Sequence, residues 1–382
     1  MAPISLLLSA GEASGDMYAG RLATALQTRI DVHLFGMGGP QMRAAGVEII
    51  TDYSEVAVVG ITEILRHLPS LLHAMDRIVT EAETQKPALA ILTDFPGFHL
   101  RLARKLQPRG VRNVYYICPQ FWAWRPWRVN LVRRRFTKAL CIFPFEERFF
   151  RNAGVSAEFI GHPLVGEVSA TKDRKAFCQE QGLDPARTIV TILPGSRAGE
   201  LAHHLPVLQE TCARIHAKKS SQFIVAAAHP SDIGLLKAGW PSGVIVRVVE
   251  GETYNALASA DAAIVSSGTA TVEAALLNAP MVVVYRVSPL TATLAKPLVR
   301  TPYFAMVNLI AEKQIVPELV QDDFTPNKVA EAILNLLQNP NVRSAMKDGL
   351  AEVRRRLGPP GAVDRAADQI IQLLGKSAGN AS

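Results

Sequence analysis

Thr188-Ile-Val-Thr-Ile-Leu-Pro-Gly-Ser-Arg-Ala-Gly-Glu200 decides the fold class. Its first six residues are β-branched or apolar without alternation, as in a strand covered on both faces. Pro194 and Gly195 then turn the chain, and a helical pattern follows. Strand, Gly-containing loop and helix start form half of a βαβ unit. A related loop, Gly11-x3-Gly15-Asp16, follows the apolar run at 4–8, and 195 − 11 = 184 residues separate the two, about half the chain. The repetition predicts two similar lobes.

Outward from that stretch, strand-like runs fall at 4–8, 32–35, 89–93, 114–117, 139–143 and 158–160, then at 188–193, 222–227, 244–248, 262–265 and 281–285. Helical patterns, such as 18–27 and 71–83, lie between them. The fold class is therefore α/β, with two Rossmann-like, doubly wound parallel-sheet domains facing a central cleft. The expected boundaries are 1–165, 166–350 and a helical tail at 351–382, packing back on the first domain or on a partner subunit. Ligands of open α/β sheets bind outside the carboxyl ends of strands, so residues that follow strands carry the functional reading.

The 382 residues include 41 Lys+Arg and 34 Asp+Glu, 48% hydrophobic and 20% charged, which excludes a disordered, collagen-like or coiled-coil chain. The net charge of +7 favours an anionic partner: nucleic acid, anionic lipid or a phosphorylated substrate. Four cysteines without a CxxC pair read as reduced cytosolic thiols. The apolar run at 4–8 lacks a basic segment before it and leads into a loop, so it reads as a strand and not as an export signal.

Ser266-Ser-Gly-Thr-Ala-Thr-Val-Glu273 follows the run at 262–265. Free amides at a helix start suit a diphosphate. Ser267, Gly268, Thr269 and Ala270 would surround it, and Glu273, one turn on, could accept ribose hydroxyls. An ordinary N-cap with a surface Glu is the plainer reading. In the 188–200 stretch, Ser196 offers a hydroxyl and Arg197 a fork matched to phosphate oxygens, against a purely structural turn. Asp94, in Thr93-Asp-Phe-Pro-Gly-Phe-His99, ends a strand run and could serve as a general base, or only form the turn before Pro96. Phe121-Trp-Ala-Trp-Arg-Pro-Trp-Arg128 places three tryptophans within six positions, and 125–138 carries six basic residues and no acid. That pattern fits an anionic lipid surface, a solvated helix or nucleic-acid stacking, but no nucleic-acid motif accompanies it. The apolar stretch 56–73, broken at Pro69, reads as core or as a rim for acyl chains. Neither GxGxxG nor a Walker loop is present, and no DxD-type metal pair stands in a suitable place.

Taken in order, Ala10-Gly-Glu-Ala-Ser-Gly-Asp16, Gly38-Gly-Pro40, Val59-Gly-Ile-Thr-Glu63, Trp122-Ala-Trp-Arg125, Phe143-Pro-Phe-Glu146, Gly161-His-Pro163, Leu193-Pro-Gly-Ser-Arg197, Ser267-Gly-Thr-Ala-Thr-Val-Glu273 and Asn308 followed by Val316-Pro-Glu-Leu319 span nearly the whole chain. This series resembles the lipid-A-disaccharide synthase family, inverting glycosyltransferases of the GT-B fold. The resemblance implies transfer of 2,3-diacylglucosamine from UDP to 2,3-diacylglucosamine 1-phosphate, without a cofactor or metal, at the cytoplasmic face of the inner membrane. It implies Asp94 as catalytic base and a UDP site of Ser196, Arg197, Ser267, Gly268, Thr269, Ala270 and Glu273. Glu12, Ser14, Asp16, Trp124, Arg125, His162, Asn308, Glu318 and Gln321 would line the substrate cleft. It implies peripheral contact with anionic lipid, no nucleic acid, and a homodimer as the candidate assembly. The family's loop often reads Asp-x-Pro-Asp-Phe-Asn; here Gly97 replaces the second acid and His99 the Asn. The alternatives are another UDP-sugar enzyme of this architecture, a UDP-N-acetylglucosamine epimerase or transferase, and a basic nucleic-acid-binding protein.

Overall fold

The computed structural model describes residues 3–56, 61–288 and 301–378, with 61–68, Trp124 and 376–378 described by backbone alone. Two compact units divide the chain. The first holds the residues up to Pro163 and those from Gly358 onward; the second is Leu164–Leu357.

In the first unit, β1 (Ile4–Ala10), β2 (Val32–Gly38), β3 (Glu48–Asp52), β4 (Leu89–Thr93), β5 (Arg112–Tyr116), β6 (Lys138–Cys141) and β7 (Ala157–Phe159) form one sheet. Its order is β3-β2-β1-β4-β5-β6-β7, and every neighbouring pair is parallel. The middle strands are apolar on both faces because helices cover both. Leu7, Phe35, Ala90, Leu92 and Tyr115 have no exposed surface and pack with Phe98, Leu102, Leu106 and Val132. Each large side chain buried this way stabilises by roughly 1.5–3 kcal/mol. The helix Ala362–Ala378 belongs to this unit. Arg29 holds it through Asp364 (2.6 Å) and Asp368 (2.7 Å), and the Arg112 guanidinium donates to the Leu373 carbonyl at 3.1 Å.

The second unit repeats the plan with β8 (Thr188–Leu193), β9 (Ser221–Ala227), β10 (Ile245–Glu250), β11 (Ala262–Ser266), β12 (Met281–Tyr285) and β13 (Glu318–Val320), in the order β10-β9-β8-β11-β12-β13. These strands are parallel throughout. Ile189, Phe223, Ile264 and Val283 are fully buried at its centre.

Two features depart from expectation. Strands β3 and β13 lie where no strand pattern was read; both are short edge strands, with partly exposed, mixed sequences. The helix expected at 71–83 runs from Ile61 to Gln85, through Pro69. Pro69 lacks one backbone donor but sits on the exposed side of the helix, where the loss is tolerated. Residues 57–60 of the apolar stretch lie outside the described residues, as do the side chains of 61–68.

Candidate active site

In each sheet the strand order reverses between two central strands, and both loop systems singled out from the sequence leave the sheet there. Ala10 pairs with Thr93 at the ends of β1 and β4, so Glu12 and Asp94 emerge side by side. Leu193 pairs with Val265 near the ends of β8 and β11, so the loops after them, 194–197 and 267–268, emerge together. These reversal points are where open α/β sheets bind ligands.

Asp94 and Phe95 are consecutive left-handed residues, with φ of 45° and 44°. For residues with a side chain this conformation costs about 1–2 kcal/mol each. Several contacts hold it. The Asp94 amide lies 3.2 Å from the Tyr116 carbonyl and 3.3 Å from that of Ile117. The Asp94 carbonyl accepts from the Tyr115 hydroxyl at 3.0 Å and lies 2.8 Å from His99 Nδ1. Phe95 folds over Gly11, where even a Cβ would meet its ring at 2.1 Å. Burial first, then the charge of Glu12 and a side-chain hydrogen bond to it, push the Asp94 carboxyl up to about 7. It is thus poised to gain or lose a proton near neutrality. At Gly97 a Cβ would meet nothing within 4 Å.

The other acids of the first unit divide by role. Glu12 is exposed and accepts from Ser14 Oγ at 3.1 Å. Asp16 is buried and takes three amides, from Gly39 (2.7 Å), Gln41 (2.9 Å) and Met42 (3.1 Å), so it caps the short helix Pro40–Ala44 from the helix Ala13–Gln27. Glu146 has no exposed surface; it accepts from Trp122 Nε1 at 3.1 Å and from the Phe143 amide at 3.2 Å. Burial pushes its carboxyl up to about 8 despite those donors. It joins the segments at 122–125 and 143–146. His162 is buried, its ring centroid 5.2 Å from that of Phe143, and burial lowers its pKa to about 4. Arg125 is exposed, as is Trp127 at 58%. The Trp124 side chain lies outside the described residues.

In the second unit, Gly268 sits at φ +151°, a conformation that only glycine adopts easily. It opens the helix Thr269–Leu276, whose first amides lack helical acceptors and attract negative charge. Ser267 donates to the Phe304 carbonyl at 2.9 Å, and Glu273 accepts from Tyr254 at 3.2 Å. Burial raises the Glu273 pKa; the Tyr254 bond opposes it. Across the reversal point, buried Glu200 receives the Ser196 amide (3.1 Å) and Arg197 (2.9 Å). The Arg197 side chain stays 78% exposed, free to meet another anion. His204 takes the Arg286 amide on Nε2 at 2.9 Å, which leaves Nδ1 to donate to the Pro194 carbonyl at 2.7 Å. That neutral ring bolts the 194–197 loop to the end of β12. Asn308 spends its whole amide inside the fold: Nδ2 reaches the Val316 carbonyl and Glu318, and Oδ1 takes the amides of Ile315 and Val316. Glu318 also takes the amides of Phe304 and Ala305. Gln321, at φ +54°, offers its carbonyl to Arg286.

Residues 6–368 match the family described as lipid-A-disaccharide synthetase. The lipid-A-disaccharide synthase of Solibacter usitatus is 44% identical over 371 residues, covering 97% of each chain. That of Myxococcus xanthus is 41% identical over 375 residues, covering 97% of this chain and 98% of its own. The chain belongs to the lipid-A-disaccharide synthase family. It is a glycosyltransferase of lipid A biosynthesis. The calicheamicin glycosyltransferase CalG4 superposes with a TM-score of 0.60 at 17% identity, covering 98% of this chain and 99% of its own, which establishes the GT-B fold. Among the described residues no helix is long and apolar enough to cross a membrane.

Asp94, with His99 near it, Arg197 and Glu273 stand out in the sequence; Tyr115, Tyr254 and His204, which brace their loops, do not. Tyr254 carries no local motif and meets Glu273 only through folding. His204 stands ten residues past Pro194 on the next helix, and its bonds are to main chain, which no side-chain pattern reveals.

Proposed function

We propose that the chain transfers a 2,3-diacylglucosamine unit from UDP to the 6-hydroxyl of 2,3-diacylglucosamine 1-phosphate, giving a β-1,6-linked disaccharide 1-phosphate and UDP. The observation that carries this reading is Asp94: a carboxyl at a sheet-reversal point, on a braced loop, with a pKa of about 7. A base of that strength is roughly half ionised at neutral pH and strong enough to take the acceptor proton as the oxygen attacks the anomeric carbon.

The second unit supplies the leaving-group side of the reaction. The amides at Gly268, Thr269 and Ala270, the Ser196 hydroxyl and the Arg197 guanidinium would receive the diphosphate, whose charge grows as the glycosidic bond breaks, while Ser267, bound to the Phe304 carbonyl, would shape the loop. Glu273 would accept the ribose hydroxyls, held in place by Tyr254. The enzyme would work at the cytoplasmic face of the inner membrane, where both lipid substrates reside. Exposed Trp127, with Arg125 and the arginines of the helix Val129–Arg135, fits contact with anionic headgroups.

Asp94→Asn tests the reading. The variant is expected to fold and bind UDP normally while turnover falls by ~10²–10⁴-fold, the usual worth of a positioned base. Turnover within a few-fold of wild type would remove Asp94 from the chemistry.

A further inference from the structure

We infer that His99 is a positioning residue for the transfer: with Tyr115 it clamps the Asp94 main chain and so keeps the carboxyl beside Glu12 at the end of β4. The inference rests on the reading of Asp94 as the base.

His99 has no exposed surface and lies in the first turn of the helix Pro96–Leu106. Its Nδ1 is 2.8 Å from the Asp94 carbonyl oxygen, which can only accept, so Nδ1 carries the proton. Its Nε2, 2.8 Å from Ser9 Oγ, must then accept from that hydroxyl. Ser9 is fully buried on β1, so the ring is pinned from the neighbouring strand. Burial lowers the ring's pKa to about 4, so the ring is neutral near pH 7, and its two hydrogen bonds set the tautomer. Phe95 and Phe98 meet the ring edge-on, with centroids 5.8 and 5.7 Å away. Tyr115 donates to the same carbonyl from β5. Both lone pairs of that oxygen are therefore engaged, and the peptide they fix is the one between the two left-handed residues. Loss of either donor releases the bond that sets the direction of the Asp94 side chain.

The geometry distinguishes substitutes. An Asn amide nitrogen can stand where His Nδ1 stands and donate to the Asp94 carbonyl. Gln is one carbon longer and reaches toward Ser9 instead. Leu fills the space and donates nothing. We expect His99→Asn to keep kcat within about threefold of wild type. His99→Gln and His99→Leu should lose ~10–100-fold in kcat, the scale of a misplaced reacting group. The UDP dissociation constant, measured by calorimetry, should be unchanged in all three. Tyr115→Phe, which removes the second donor without changing volume, should lower kcat alone and serves in place of His99→Leu if that variant does not fold. If Gln and Leu match Asn while Asp94→Asn is inactive, His99 only packs, and the inference is overturned with the base intact. If Asp94→Asn is fully active, the base reading itself fails, and the clamp with it.

Discussion

Glu12 and Asp94 form a carboxyl pair, and replacing Glu12 by Gln should move the pH dependence of the reaction. Burial is the largest cause of the raised Asp94 pKa, followed by the Glu12 charge and the hydrogen bond between the two side chains. Glu12→Gln removes the like charge and substitutes an amide that can donate to the ionised Asp94. Both changes favour the carboxylate, because a like charge nearby raises a carboxyl's pKa and a donor to the ionised form lowers it. With a pKa of about 7 the wild-type base is roughly one-eleventh ionised at pH 6. A drop of about one pH unit makes it about half ionised there, a gain of roughly fivefold relative to the plateau. The assay is kcat/KM between pH 5 and 9, whose acid limb reports the base in the free enzyme. Any contact of Glu12 with substrate lowers the plateau but does not move the limb. An acid limb at the same pH in Glu12→Gln and wild type would refute the coupling.

Glu146→Gln should change stability in a pH-dependent way. Its folded pKa of about 8 lies above the ordinary 4.5, so the stabilisation is fully present below pH 4.5 and is lost as pH rises through 8. The span, (8 − 4.5) × 1.36, is about 5 kcal/mol as an upper bound, and denaturant melts from pH 4.5 to 8.5 should show Gln gaining on wild type by several kcal/mol; a constant difference contradicts this. Glu273→Ala should weaken UDP binding by ~1–3 kcal/mol through lost charge-assisted bonds. An unchanged constant in calorimetry takes Glu273 out of the site. Replacing Arg125, Arg128 and Trp127 together should abolish flotation with anionic vesicles at low salt and leave the UDP affinity intact; equal flotation of the variant moves the lipid contact elsewhere.

The two-lobed plan was legible because its central strands are runs of β-branched and apolar residues without alternation, such as 188–193 and 262–265, each followed by a Gly-containing loop. Edge strands β3 and β13 were not, since Glu48-Ile-Ile-Thr-Asp52 and Glu318-Leu-Val320 have too few buried residues to stand out. The loops at the two reversal points were legible for the same reason as the central strands: glycine, proline and charge cluster where a strand gives way to a helix. What the sequence concealed is the bracing. His99, His204 and Tyr115 act on main-chain carbonyls, and a carbonyl leaves no trace in residue identity. Asp16 and Asn308 stood among the candidates for the substrate cleft because the resemblance includes them. Their bonds in the fold all run to the protein's own main chain, apart from that of Asn308 to Glu318. Their contribution to the site would be to hold loops in place.

The most direct measurement is mass spectrometry of the products formed by the purified wild-type chain from UDP-2,3-diacylglucosamine and 2,3-diacylglucosamine 1-phosphate. The expected result is a tetraacyl disaccharide carrying one phosphate, with one UDP released for each, and neither product from Asp94→Asn beyond a trace. A UDP-sugar altered without any acceptor, or no disaccharide from the wild-type chain, would contradict it.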